Sequence, residues 1–214
     1  MAERIQGPTC ASKLGKGWID QGTHSRTRSG GRGLPGMVMS LILGATPAED
    51  EEASQRKAED QVLIGSCIDV IAKSPFGKSA AGKPIVKLLR SLNLGGRIQY
   101  GGTIEGSRGD WDGSTIRIDE GYRGNMNRTI PELVHEAAHA LWKKSAKAAK
   151  DEAARRKDNI DDELRSREYQ LIIYKYLRDD LHWPPDPVLE RRLELQAAGK
   201  LRQAIEENYG GPHD

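Results

Sequence analysis

The sequence predicts an α+β fold, mostly helical, with a small antiparallel sheet ahead of a helix that carries two histidines. Three observations lead there. Apolar residues recur at three- and four-residue spacing over residues 49–72, and again in the last third of the chain. Two β-rich segments, Ile98-Gln99-Tyr100 and Thr115-Ile116-Arg117-Ile118-Asp119, flank the turn-rich residues 101–113, where Asp112-Gly113 is a hairpin signal. Residues 133–142 combine apolar and small side chains with His135 and His139, four positions apart on one helical face.

The elements follow in order. Residues 1–48 are rich in Gly, Ser, Thr, Arg and Lys and read as a flexible basic leader, ahead of one folded domain over residues 49–210. Arg26, Arg28 and Arg32 in that leader are a solvated tail before they are a nucleic-acid or acidic-partner site. The first helix spans residues 49–72, with Val62, Leu63, Cys67, Ile68 and Ile71 as its apolar stripe. Ser74-Pro75-Phe76-Gly77 ends it. A second helix runs from Ser79 or Pro84 to Leu92, and Leu94-Gly95-Gly96 turns the chain into the strands. The motif helix has Asn127 or Thr129 as its expected cap, with Pro131 near its first position. Lys143, Lys144 and Lys147 suit its C-terminal end. The polar residues 147–162 read as a helix end and linker. A long helix over residues 161–180 follows, then a break at His182-Trp183-Pro184-Pro185. A last amphipathic helix over residues 187–207 carries Val188, Leu189, Leu193, Leu201 and Ile205.

Composition bounds the function. With 214 residues, 30% charged and 5% aromatic, the chain fits one main domain with a modest core. A net charge of +2 makes no electrostatic case for nucleic acid or a membrane surface. Cys10 and Cys67 form neither a disulfide framework nor a C-x-x-C knuckle, and a reducing compartment fits them. No hydrophobic signal peptide is read at the N-terminus, and the apolar residues 37–43 are too few to span a bilayer. Export would need a route without a cleaved signal.

His135-Glu136-Ala137-Ala138-His139 is the H-E-x-x-H signature of zinc peptidases. Imidazoles at i and i+4 can reach one metal ion at about 2.0–2.1 Å. Glu136, between them in sequence, can touch a water at the metal without being a ligand and is the expected general base. The expected cofactor is one catalytic Zn2+, which takes three protein ligands. A metzincin would place a third His six residues past His139, where this chain has Ser145. His182 and His213 are distant, and His24 lies in the leader. A carboxylate from the next helix, as in gluzincins, remains: Asp161, Asp162, Glu163 or Glu168. Glu163 is preferred because it begins the stripe Glu163, Ser166, Gln170, Tyr174, Leu177, Leu181, whose apolar end must face inward. Glu168 is next. Tyr122, Tyr169, Tyr174 and His182 are open candidates for the donor to the developing oxyanion. The strand at residues 116–119 is the expected edge on which an extended peptide would pair.

Taken together, Ser74-Pro75-Phe76-Gly77-Lys78, the glycine-rich hairpin, residues 133–141 and the Glu163 helix make the chain resemble compact zincin-type metallopeptidases of bacterial effectors and toxins, including the NleD-like effectors. The resemblance covers roughly residues 60–180. It implies a zincin-like fold, His135, His139 and a downstream Glu as ligands, and Glu136 as base. It also implies synthesis in a bacterial cytoplasm and delivery into another cell through a specialised secretion system. The implied partners are a protein substrate in the target cell, with a secretion-system component or a cognate immunity protein. The leader has no counterpart in that pattern. Two other readings compete: a zincin-fold regulatory or binding protein with little turnover, and a helical nucleic-acid- or protein-binding module with an incidental motif. An intact Glu136 weighs against the first, since pure binding has no use for a base.

Overall fold

The computed structural model describes residues 47–103, 106–142 and 152–210. The leader reading and His213 fall outside the described residues, apart from Pro47 and Ala48 at the start of the first helix. The described elements all belong to the unit Gly44–Asp214.

Helix α1 (Pro47–Lys73) leads through the single turn α2 (Pro75–Lys78) into α3 (Gly82–Leu94). Each break is capped. Ser74 Oγ accepts from Gly77 N, and Ser79 Oγ from Gly82 N, each at 3.0 Å. The corner is tight: a Cβ on Gly77 would fall 2.1 Å from Ile71 O, and one on Gly82 2.0 Å from Phe76 O. No larger residue fits either position. Cys67, Ile68 and Ile71 of the expected α1 stripe are buried, and Ile64 completes it in place of Val62 and Leu63. Val62 is 70% exposed, and Leu63 is half-buried.

Strands β1 (Ile98–Tyr100), β2 (Gly109–Trp111) and β3 (Ile116–Ile118) form one sheet in the order β1-β3-β2. The sheet is mixed, not antiparallel as expected. β1 runs parallel to β3 with Ile98 opposite Ile116, and β2 runs antiparallel to β3 with Gly109 opposite Ile118. The expected hairpin exists, but its first arm is β2, drawn from the residues read as a turn. Asp112 Oδ1 accepts from Ser114 N and Thr115 N, both at 2.8 Å, which closes that turn. The residues 116–118 are therefore the central strand, and β1 and β2 are the two edges. Ile98, Tyr100, Ile116 and Ile118 turn one face of the sheet into the core.

A 3₁₀ turn (Glu120–Tyr122) precedes α4 (Met126–Trp142). Its cap is Asn125, whose Oδ1 accepts from Arg128 N at 3.3 Å. Neither expected cap serves. Asn127 Nδ2 donates to Pro184 O, and Thr129 Oγ1 donates to Tyr122 O. Pro131 lies inside the helix, not at its start. Every residue from Thr129 to Ala138 is buried, so α4 is enclosed by other elements on all sides.

Helix α5 (Glu152–Asp179) packs along α4 and begins well before the expected residue 161. Its Ile173 and Leu177 join the core of α1, α3, α4 and the sheet. Its other face, with Ile160, Leu171 and Tyr174, meets Leu189, Leu201 and Ile205 of α6 (Pro187–Ala197) and α7 (Leu201–Gly210). The expected single last helix is two, because the chain turns at Gly199 with φ +68°. Among the described residues, no helix is long and apolar enough to cross a membrane.

Candidate metal centre

α4 and α5 carry the site between them. On α4, His135 and His139 lie one turn apart, with Nε2 atoms 3.1 Å from each other. Glu163, in the first half of α5, brings Oε2 to 3.2 Å from His139 Nε2 and Oε1 to 3.7 Å from His135 Nε2. Ligand atoms of the three residues all lie within 4.8 Å of one another. Tetrahedral bonds of about 2.0–2.2 Å place ligand atoms about 3.3–3.6 Å apart. The observed spacings bracket that, so two imidazoles and a carboxylate here could hold one metal ion. Glu136 Oε1 stands 3.9 Å from His135 Nε2, beside the cluster and not within it.

The ring of His139 is held from both sides. Its Nδ1 is 2.8 Å from Asp162 Oδ2, with Ser166 Oγ at 3.4 Å. A proton on Nδ1 shared with a carboxylate turns Nε2 toward the metal position and makes it a better donor. Burial alone would depress the His139 pKa. Its hydrogen bonds to Asp162 and Glu163 overcome this and hold it at about 9 in the absence of metal. Among the described residues nothing hydrogen-bonds His135 Nδ1, which is buried. Burial, with the charge of Arg167 next, pushes its pKa well below the usual imidazole range. Burial opposes the ionisation of Glu163. The His139 hydrogen bond and the charge of Arg167 prevail and hold it ionised far below the usual carboxylate range. The donor set is thus a neutral imidazole, an imidazole whose Nε2 proton a metal would displace, and a carboxylate.

Glu136 is the reverse case. Burial raises its pKa to about 8, with the His139 charge pulling the other way. A divalent cation between the imidazoles adds positive charge beside it and favours the carboxylate form that a base requires. The side chain lies against β2. A Cβ on Gly109 would sit 3.2 Å from Glu136 Cγ and 3.4 Å from Oε1. Gly109, read from sequence only as a turn residue, is what lets the edge strand approach the base.

The β2–β3 ladder fixes which way that strand faces. Asp119 N donates to Arg108 O and Asp112 N to Thr115 O, so residues 108, 110 and 112 are the ones bonded across to β3. Gly109 and Trp111 therefore turn their main-chain groups to the other side. Gly109 O accepts from Ser107 Oγ.

The other sequence candidates lie elsewhere. Glu168 is exposed, and Asp161 pairs with Arg202 at 2.6 Å. Tyr174 Oη is engaged by Asp186 N at 2.9 Å and by Glu190. Tyr169 packs on Phe76 with ring centroids 5.4 Å apart, and Tyr122 is core. His182, at φ +55°, ends α5 on the surface. None of these four is placed as an oxyanion donor.

Sequence reasoning missed a buried polar layer beside the cluster. Arg167 Nε donates to Glu163 Oε1 at 2.7 Å, and Arg167 and Arg192 share Gln170 Oε1 at 3.0 and 2.9 Å. Arg108 lies 3.9 Å from the buried Glu132, one turn before Glu136. Burial raises the Glu132 pKa against the pull of Arg167, Arg192 and Arg108. The i, i+4 spacing of Glu163 and Arg167 was a readable signal. Arg108 and Arg192 come from distant segments and carried none.

No protein-family model, no curated protein and no solved structure matches this chain. The likeness to zincin-type effectors therefore rests on the chain's own residues.

Proposed function

We propose that this chain is a zinc-dependent endopeptidase of the zincin type, with His135, His139 and Glu163 as ligands and Glu136 as general base. The observation that carries the reading is the convergence of two imidazoles and a carboxylate, with ligand atoms within 4.8 Å of one another, and a second, non-ligating carboxylate between them and an edge strand. Two nitrogens and one carboxylate oxygen suit zinc. Bound zinc supplies the Lewis acidity that makes water a nucleophile near neutral pH and polarises a carbonyl.

The protein's own groups do the rest. Asp162 fixes the His139 ring, and Arg167 holds the Glu163 carboxylate in place. An extended peptide pairing with the free side of β2 would bring its carbonyl carbon alongside Glu136. Glu136 takes a proton from the attacking water and returns it to the departing amine. The site belongs, on this reading, to a secreted effector or toxin that cleaves a protein of a target cell, as the resemblance implies.

Elemental analysis tests the metal. Wild type should carry near-stoichiometric zinc; His135→Ala and Glu163→Ala should lose it, and Glu168→Ala should retain it. Hydrolysis of a peptide library by zinc-loaded wild type, abolished in Glu136→Gln, tests the reaction. Wild type that binds no added zinc would defeat the proposal.

A further inference from the structure

We propose a second ligand site, distinct from the metal centre: an anion pocket in the corner of α1, α2 and α3 that takes a compact, multiply phosphorylated small molecule. The corner forms an open surface hollow of about 610 Å³, rimmed by exposed cations, within the size range of small-molecule sites. Lys73, Lys78, Lys83, Lys87 and Arg90 line it, against one carboxylate, Asp69. The Gly77 and Gly82 contacts that close this corner also shape its floor, with Ala72 and Val86 beside them.

Folding accounts for only part of this charge. Lys73 and Lys78 sit in the last turns of α1 and α2, where a cation suits the helix end. Lys83 and Lys87 do not. Lys83 lies in the first turn of α3, which holds no acid, and the helix dipole there opposes a positive charge. Lys83, Lys87 and Arg90 follow at i, i+4 and i+7 on one face, a like-charge stripe that weakens an isolated helix. Arg90 pairs with Asp69 at 3.3 Å, whereas the four lysines make no salt bridge among the described residues. No lysine makes a salt bridge among the described residues, so what is particular to this corner is the gathering of four around one hollow with a single carboxylate. Unpaired, mutually repelling cations around one concavity are what a bound polyanion would relieve.

The lining selects the class of anion. It has no aromatic ring on which a base could stack and no amide to read a base edge. An extended acidic peptide presents a side chain to one face only every ~7 Å, too sparse for five cations around one hollow. Clustered phosphates, each carrying about −1.5 to −2 at neutral pH, match that density.

Inositol hexakisphosphate is the probe, with inorganic phosphate, poly-glutamate and a single-stranded RNA oligonucleotide as comparisons, by calorimetry on the full chain in about 0.15 M salt. Saturable binding of the hexakisphosphate is expected. It should raise the melting temperature by about 5–10 °C at a hundredfold excess over Kd. The Lys83→Gln/Lys87→Gln variant should weaken it roughly tenfold or more without lowering the unliganded melting temperature. Asp69→Asn should tighten it, and Lys200→Gln, in the turn between α6 and α7, should leave it alone. No binding, or binding indifferent to the α3 lysines and to Asp69, would overturn the assignment. So would tighter, equally lysine-dependent binding of poly-glutamate or RNA, which would make the corner a macromolecular docking surface.

Discussion

Replacing Gly109 with Ala tests the placement of the base without touching a ligand. The new methyl group would sit 3.2 Å from Glu136 Cγ, 3.3 Å from Arg117 O and 3.4 Å from Glu136 Oε1. Comfortable carbon contacts begin near 3.5 Å, so something must yield by a few tenths of an ångström. Arg117 O belongs to the β2–β3 ladder and is held by strand pairing. Glu136 is a side chain and moves first. Overpacking of this kind costs about 1–3 kcal/mol, which at this chain length lowers Tm by roughly 2–4 °C per kcal/mol. A displaced reacting group loses on the order of 100-fold per ångström, so a shift of a few tenths predicts a loss of roughly tenfold in kcat. Zinc content should stay at the wild-type level, because none of the three atoms nearest the new methyl group belongs to His135, His139 or Glu163. Three measurements decide it: zinc by elemental analysis, Tm by calorimetry and kcat on a cleaved peptide. Full activity with unchanged Tm would mean that Glu136 does not lie against β2. Loss of zinc would mean that β2 supports the ligands, and the division between base and ligands would fail.

Other outcomes follow from the same geometry. Asp162→Ala should weaken zinc binding about 10–100-fold, measured by chelator competition, because His139 loses the partner that orients its ring; an unchanged affinity would remove Asp162 from the site. Zinc binding near pH 7 should release about two protons, one from His139 Nε2, since that ring sits at about 9 without metal, and one from Glu136, whose carboxyl sits at about 8. Calorimetry in buffers of different ionisation enthalpy counts them, and the release should fade above pH 9. The folded-state pKa of His139 lies above its unfolded value near 6.5, so its contribution to metal-free stability is full below that pH and is lost as pH rises through about 9. Glu136, raised from 4.5 to about 8, acts in the same direction. The metal-free Tm should therefore fall from pH 6 to 9 while the gain on adding zinc grows; a flat metal-free profile would contradict both shifts. Leu133→Ala, at the centre of the enclosed α4, should cost about 2–5 kcal/mol by denaturant unfolding.

The motif helix and the third carboxylate were legible because both depend on local periodicity. Glu163, Ser166, Gln170, Tyr174 and Leu177 are all buried, so an apolar stripe in the lower half of α5 did report where its polar upper half faces. Leu181, past the end of the helix, is more than a third exposed and marks the limit of that argument. Strand β2 was illegible: Gly109-Asp110-Trp111 has no alternation, and its pairing comes from Ile116–Ile118 across the hairpin. The parallel partnership of β1 and β3 leaves no trace in either segment. The Arg108, Arg167 and Arg192 layer was hidden for a similar reason, since its members meet only after α5 and α6 have packed. The break at Gly199 was visible as a residue but masked by apolar positions that continue through it.

Asp162 and Glu163 are consecutive residues, and they grip opposite nitrogens of one imidazole. Residues 155–159 of α5 are exposed, and burial begins at Ile160. A metal ion at this position would thus act as a removable crosslink, closing the chain between His139 and Glu163 into a ring and lowering the entropy of its open states. Amide exchange should register it. Chelation would release the opening turns of α5 toward fast exchange, while α4, buried on every side, stays protected. An inhibitor that strips the metal would then do more than silence the chemistry: it would expose the start of α5 to proteolysis.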